Sequence, residues 1–279
     1  MLNNYTQIVS VEGIKPATDL YDSLGVKGGW LFRGHADRQF RLRSSLERTM
    51  GDLRKTLWAE DYAATHFFRS ANLHADFAAL PKLISGDLNL QVLLYMQQYG
   101  FPTRLLDFTA STYIAFYFAM EMAAPSVSHV SIWAINADAV NAMSLQKLHA
   151  YRQATGRLSE HSTASGMLNI PIRDTSAPPL VFFYPADRGY SRVVFQQGHA
   201  AVPTRIDLSF EANLAGALEG SNEKLIRFDV PVSRRKEILV DLYSMNIHRE
   251  SLFPGMQGLG DRVKIALDSR IHENKWPWD

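Results

Sequence analysis

The chain contains no cysteine. That absence excludes disulfides, thiol nucleophiles and thiolate metal ligands together. It agrees with a reducing compartment, and a cytoplasmic location is the expectation. Charge of either sign is not in excess: 29 Lys and Arg stand against 28 Asp and Glu, a net of +1, so no global basic field advertises a nucleic-acid partner. No apolar run approaches ~18 residues, and no basic-apolar leader precedes the first elements, so neither membrane spans nor secretion signals are expected. The glycine-rich phosphate loops, the Gly-x-Ser-x-Gly elbow and the His-Glu-x-x-His helix are all missing. The nine histidines are scattered without metal-ligand spacing, so no metal is expected.

What is present reads as a globular protein: 46% hydrophobic and 20% charged residues over 279 positions suffice for a large core. Length alone allows one domain or two; with no repeat and no clear linker, a single domain over 1–279 is expected. Val9-Ser10-Val11 and Lys15 to Leu24 read as an opening strand and short helix, with Pro16 in the first turn and Gly25 at the end. After the Gly28-Gly29 turn, Trp30 to Arg33 has strand composition, halted by Gly34. Ser44 to Glu47 caps a helix start. Residues 53–79 carry apolar groups at helical spacing, and Leu88 to Tyr99 reads as a helix ended by Gly100. Ser111 to Met122 is a strongly apolar helix.

Later segments turn strand-rich: His129 to Ile135, Leu180 to Tyr184, Val193 to Gln197 and Ile226 to Val230. Helices are expected at Asp138 to Ala150, from Glu237 to Tyr243, and from Gly260 to Ser269. A Ser/Thr/Gly/Pro-rich loop spans residues 155–179. The order argues α+β, with a helix-rich N-terminal half packed on a mixed or antiparallel sheet.

Two blocks stand out. In Trp30-Leu31-Phe32-Arg33-Gly34-His35, an arginine follows three large apolar residues. In Tyr95 to Thr109, Arg104 and Asp107 flank Leu105-Leu106. A charged group among such neighbours is paired inside or aimed at a ligand. Arg33 is therefore a buried partner for a carboxylate such as Asp107, or a fork-shaped donor for a phosphate. Gly100 to Asp107 is a rigid turn with Thr103 capping and Arg104 paired to Asp107, or a preorganised cleft wall. Gln196 and Gln197 end an edge strand, or read a base or a nicotinamide carboxamide. Tyr99 and Phe101 belong to the core or supply a stacking surface. Arg38, Arg41, Arg43 and Arg48 form a local basic cluster, for which a solvated face is the plainer reading.

Phe32-Arg33-Gly34 with Ser45-Leu46-Glu47-Arg48, and Gln98-Tyr99-Gly100-Phe101-Pro102-Thr103-Arg104-Leu105-Leu106-Asp107-Phe108-Thr109, resemble the signatures of the FRG (Phe-Arg-Gly) domain. Arg192 to Gly198 and Asn246 to Gly255 fit the same pattern, so the resembling region runs over about residues 28–268. Gln98 stands where the family often has histidine. The resemblance implies a distant similarity to ADP-ribosyltransferases, hence an ADP-ribosyltransferase-like core with NAD as substrate. It implies catalytic roles for Arg33, Asp107 and Gln197. It implies NAD contacts from Arg33, Gly34, Tyr99, Thr103, Arg104, Thr109 and Gln196. In that pattern a late strand carries a glutamate; here glutamine is present, and Asp107 is the acid left to supply charge. The resemblance also implies a macromolecular acceptor, RNA or DNA among the candidates, and a toxin-antitoxin or phage-defence setting with an inhibitory partner. A non-catalytic module binding a nucleotide, RNA or protein is the alternative.

Overall fold

The computed structural model describes residues 2–23, 29–70, 90–156, 175–185, 191–256, 258–261 and 263. The strands are β1 (Thr6–Ser10), β2 (Trp30–His35), β3 (Leu106–Thr109), β4 (His129–Asn136), β5 (Val181–Pro185), β6 (Gly198–Pro203) and β7 (Leu225–Pro231). They form one seven-stranded sheet in the order β1-β7-β4-β2-β3-β6-β5. Only β1 and β7 run parallel; every other neighbouring pair is antiparallel. The fold is thus α+β on a mixed sheet.

The helices are α1 (Ile14–Ser23), α2 (Ser45–Met50), α3 (Thr56–Ser70), α4 (Leu90–Gln98), α5 (Thr112–Glu121), α6 (Ala137–Thr155), α7 (Ser191–Phe195), α8 (Phe210–Leu218), α9 (Arg235–Ser244) and α10 (Arg249–Leu252). None of the described helices is long and apolar enough to cross a membrane. β4 shows why the sheet is covered on both faces. Its Val130, Ile132 and Ala134 enter a core with α5 and α9, while Trp133 and Ile135 enter a second core with α6 and α8. Alternate side chains of a strand point to opposite faces, so a strand buried along its length needs helices on both sides. A third cluster joins α3 and α4 to Leu105 and Ala200.

Local chemistry accounts for several boundaries. Ser44 and Glu47 make a reciprocal capping box at the start of α2, and Gly51 closes that helix in the left-handed region. The buried Glu47 also accepts from the Phe210 amide at 2.5 Å, so one carboxylate serves the starts of α2 and α8. Burial pushes its pKa up, against those two backbone hydrogen bonds. Gly100, at φ 81°, lets the chain leave α4 for the Phe101-Pro102 turn.

Two expectations change. β2 does not stop at Gly34; it continues to His35 because Gly34 is a packing residue rather than a breaker. A Cβ there would run into the Ala115 carbonyl and the Ala119 amide of α5. Val193 to Gln197 is not a strand. Ser191–Phe195 is helical, and Gly198–Pro203 takes the slot between β3 and β5, where the buried Ala200 and Ala201 fit closely. β-branched composition favoured a strand, and tertiary context overrode it. Helix α8 had no counterpart in the sequence reading. The expected helix over 53–79 is seen as α3, and its end lies outside the described residues, as do most of the 155–179 loop and of Gly260 to Ser269.

Candidate functional site

The sheet parts in its middle. β2 shares six Cα pairs with β4 but only one, Phe32↔Thr109, with β3, which itself shares four with β6. Beyond that single pair β2 and β3 diverge, and a cleft of 890 Å³ opens against them. A volume of this order suits a small-molecule ligand.

Arg33 stands at the fork. Its Nη1 donates to the Asp107 carbonyl oxygen at 2.5 Å, and its Nε donates to Nε2 of His35 at 3.2 Å. The guanidinium therefore ties β3 to β2 where backbone pairing has lapsed, giving a main-chain acceptor at the split a partner. Desolvation lowers the Arg33 pKa to about 10, opposed by the Asp107 charge and assisted by Arg48. It remains cationic at neutral pH. His35 is lowered to about 3, first by burial and then by Arg33, with Arg48 and Arg227 adding; the nearby Phe40 backbone pulls the other way more weakly. Accepting at Nε2 places the neutral ring's proton on Nδ1, which is buried and finds no partner of hydrogen-bond geometry among the described residues.

The side chain of Asp107 is exposed at the cleft, with Oδ1 accepting from Gln97 Nε2 at 2.7 Å. Thr109 lines the cleft; its hydroxyl donates to the Gln196 carbonyl at 2.8 Å and accepts from the Ser111 amide. Gln196 also lines it, but its side-chain amide donates to Leu252 O at 3.0 Å. Gly34 contributes to the wall.

Four sequence-derived candidates lie elsewhere. Thr103 is fully buried and stitches the turn to α2: its amide donates to Ser45 Oγ at 3.0 Å, and its carbonyl accepts from the Leu46 amide at 3.1 Å. Gln97, which faces the cleft, receives the Thr103 hydroxyl at 3.4 Å, so Thr103 supports the wall from behind. Tyr99 is half exposed and does not line the cleft. Gln197 is exposed beside it, with its backbone at φ 48°. Arg104 is 2% exposed and pairs with Glu60 of α3, which is 1% exposed, through Nε at 2.8 Å and through Nη2. The expected Arg104-Asp107 pair does not form. A carboxylate 44 residues earlier satisfies the buried cation instead.

Several cleft residues were missed or undervalued. Arg41, Arg43 and Arg48 line the cleft; Arg41 and Arg48 are exposed, as the solvated-face reading expects, and Arg43 is half-buried. Arg48 Nη1 donates to Arg43 O at 2.5 Å and Arg43 Nη2 to Glu47 O at 3.0 Å, so α2 organises the cluster. Arg38 turns away toward Asp229, at 4.0 Å. His35 closed the Trp30 to His35 block and His199 stood only as a departure from the family pattern after Gly198; neither was read as a site residue. Phe118 and Phe253, which pack edge to face at 6.1 Å, form an apolar flank. Among the described residues, the cleft therefore gathers four guanidinium groups and a single carboxylate, Asp107. Such an excess of planar cationic donors suits phosphate or pyrophosphate.

No curated protein and no solved structure matches the chain. The FRG domain family model matches residues 28–127, from just before β2 to just past α5, and so includes both strands that part at the cleft. By that match, which covers Arg33, Gly34 and the whole of the Tyr95 to Thr109 block, the chain contains an FRG domain.

Proposed function

We propose that the chain is an NAD-dependent ADP-ribosyltransferase with an ADP-ribosyltransferase-like core and a nucleic-acid acceptor. The observation that carries this reading is the pairing of four arginines with one carboxylate in a cleft at the parted strands. Arg33, Arg41, Arg43 and Arg48 would hold the pyrophosphate of NAD. The N-glycosidic bond to nicotinamide breaks with its electron pair passing to the ring nitrogen, which neutralises the pyridinium. The Asp107 carboxylate steadies the ribosyl cation, and an acceptor atom then bonds to C1′. Phe40, 56% exposed and lining the cleft, offers a face on which a base can stack beside Arg41. In a toxin or defence setting, such a transferase would halt growth when expressed without an inhibitory partner.

The test is nicotinamide release from NAD by purified protein with RNA, DNA or protein acceptors, alongside calorimetric titration with NAD. Release that depends on one acceptor class supports the reading. One observation favours a second reading, a nucleotide-binding module without turnover: Asp107 is engaged by Gln97, and no glutamate among the described residues lines the cleft. NAD binding without release would establish that reading, and no NAD binding would end the first.

A further inference from the structure

We infer that His199 is the general base of the cleft, taking the acceptor's proton as the acceptor bonds to C1′ of NAD. This inference rests on the transferase reading above. His199 lies on β6 opposite Phe108 of β3 and Pro185 of β5, and it lines the cleft. Its Nδ1 is 3.2 Å from the carbonyl oxygen of Gln197. A carbonyl can only accept, so Nδ1 carries the proton and Nε2 bears the lone pair.

The position of that carbonyl is held firmly. It also accepts from the Ala110 amide at 3.0 Å, and Gln197 adopts φ 48°. The other non-glycine residue with positive φ among those described is Asn246, a type that tolerates this region. Glutamine does not share that tolerance. Strained backbone of this kind persists where surrounding structure enforces it, and it clusters at functional sites. Here it fixes which nitrogen of His199 is basic.

Nε2 of His199 has no partner among the described residues. The other cleft histidine is already spent: Nε2 of His35 accepts from Arg33. The charged groups sharing the cleft with His199 are Arg33, Arg41, Arg43, Arg48 and Asp107. Asp107 serves the sugar cation, which leaves His199 for the proton. The step balances. The acceptor lone pair forms the bond to C1′, the C1′–N bond electrons go to nicotinamide, the acceptor proton goes to Nε2, and the imidazolium returns it to water.

The test compares wild type with His199→Asn, which keeps a donor for the Gln197 carbonyl and removes the base. NAD affinity is measured by calorimetry and single-turnover transfer is followed across pH. Wild-type transfer should rise with pH, as general-base catalysis requires. The variant should keep its melting temperature and bind NAD within about threefold. Its transfer should fall about 100- to 10,000-fold and lose the pH rise. Added imidazole should restore part of the rate in His199→Ala. His199→Gln carries the same readouts should the asparagine variant fail to fold. Transfer within threefold of wild type, or an unchanged pH rise, overturns the inference alone. Absence of NAD binding by wild type overturns it together with the transferase reading.

Discussion

Arg33 and Arg104 look alike in the sequence, each a cation set among large apolar residues, yet the fold uses them oppositely. Arg104 is sealed inside with Glu60, both nearly inaccessible. Arg33 is half-buried at the cleft and bonds to a backbone carbonyl and a neutral histidine, neither of which cancels its charge. The difference teaches that burial and pairing, rather than apolar neighbours in sequence, decide whether an arginine is structure or site. A cation with a buried carboxylate partner has little left to offer a ligand. One held by neutral acceptors keeps its positive field for whatever enters.

The comparison is broken most directly by stranding Arg104. Glu60→Ala should cost about 3–5 kcal/mol in equilibrium denaturation, because it takes the carboxylate away from a buried cation. Exchanging both partners for packed apolar residues should cost much less. Similar losses for the single and double variants would show that the pair is not the source of the cost.

Arg33→Ala removes two hydrogen bonds at a more open position and should cost only about 1–3 kcal/mol, while NAD binding is lost. Arg33→Lys should restore neither binding nor turnover. An ammonium cannot hold His35 and the Asp107 carbonyl in one plane and still present a donor to the cleft. A fully active lysine variant would reduce Arg33 to a point charge. If Arg33→Ala destabilised as much as Glu60→Ala, the contrast between the two arginines would collapse.

Asp107→Asn tests the site side of the contrast. The amide keeps the shape and removes the charge, so turnover should drop about 100-fold or more with stability nearly unchanged, since the group is exposed and its one side-chain partner is neutral. Loss of stability without a change in rate would make it a strut.

The pH-dependent test of the comparison concerns His35, the neutral acceptor that holds Arg33. Its pKa is about 3 in the folded chain against 6.5 when free, so between those values the unfolded chain binds a proton that the folded chain does not. Stability from this group is therefore complete above pH ~6.5 and falls as pH drops toward 3. His35→Asn should flatten that part of the acid limb in denaturation curves measured from pH 7 to 4. An unchanged limb would place the acid sensitivity in other groups.

Much of the local architecture was legible. The Ser44 and Glu47 caps, the end of α4 at Gly100, and the apolar run of α5 follow from short-range spacing, because they depend on backbone groups within a few residues. The Val193 to Gln197 segment was misread, since β-branched residues in a short run do not reveal which stretch fills the place between β3 and β5. The basic residues Arg41, Arg43 and Arg48 gave no sign of bordering a cleft. Arg43 and Arg48 are organised by α2, which is held in turn by Glu47 bridging to Phe210, 163 residues later.

The sequence by itself determined the helix caps, the α+β character and the FRG resemblance. It also set apart the two blocks that carry Arg33, Gly34 and Asp107, because these reside in residue type and near spacing. Only the tertiary structure decided that β2 and β3 meet at one pair and then separate. It alone placed Arg104 with Glu60, and put four guanidiniums and one carboxylate into one cleft. Such outcomes depend on which distant groups win each pairing, and that competition is settled by packing across the sheet rather than by the order of neighbours along the chain.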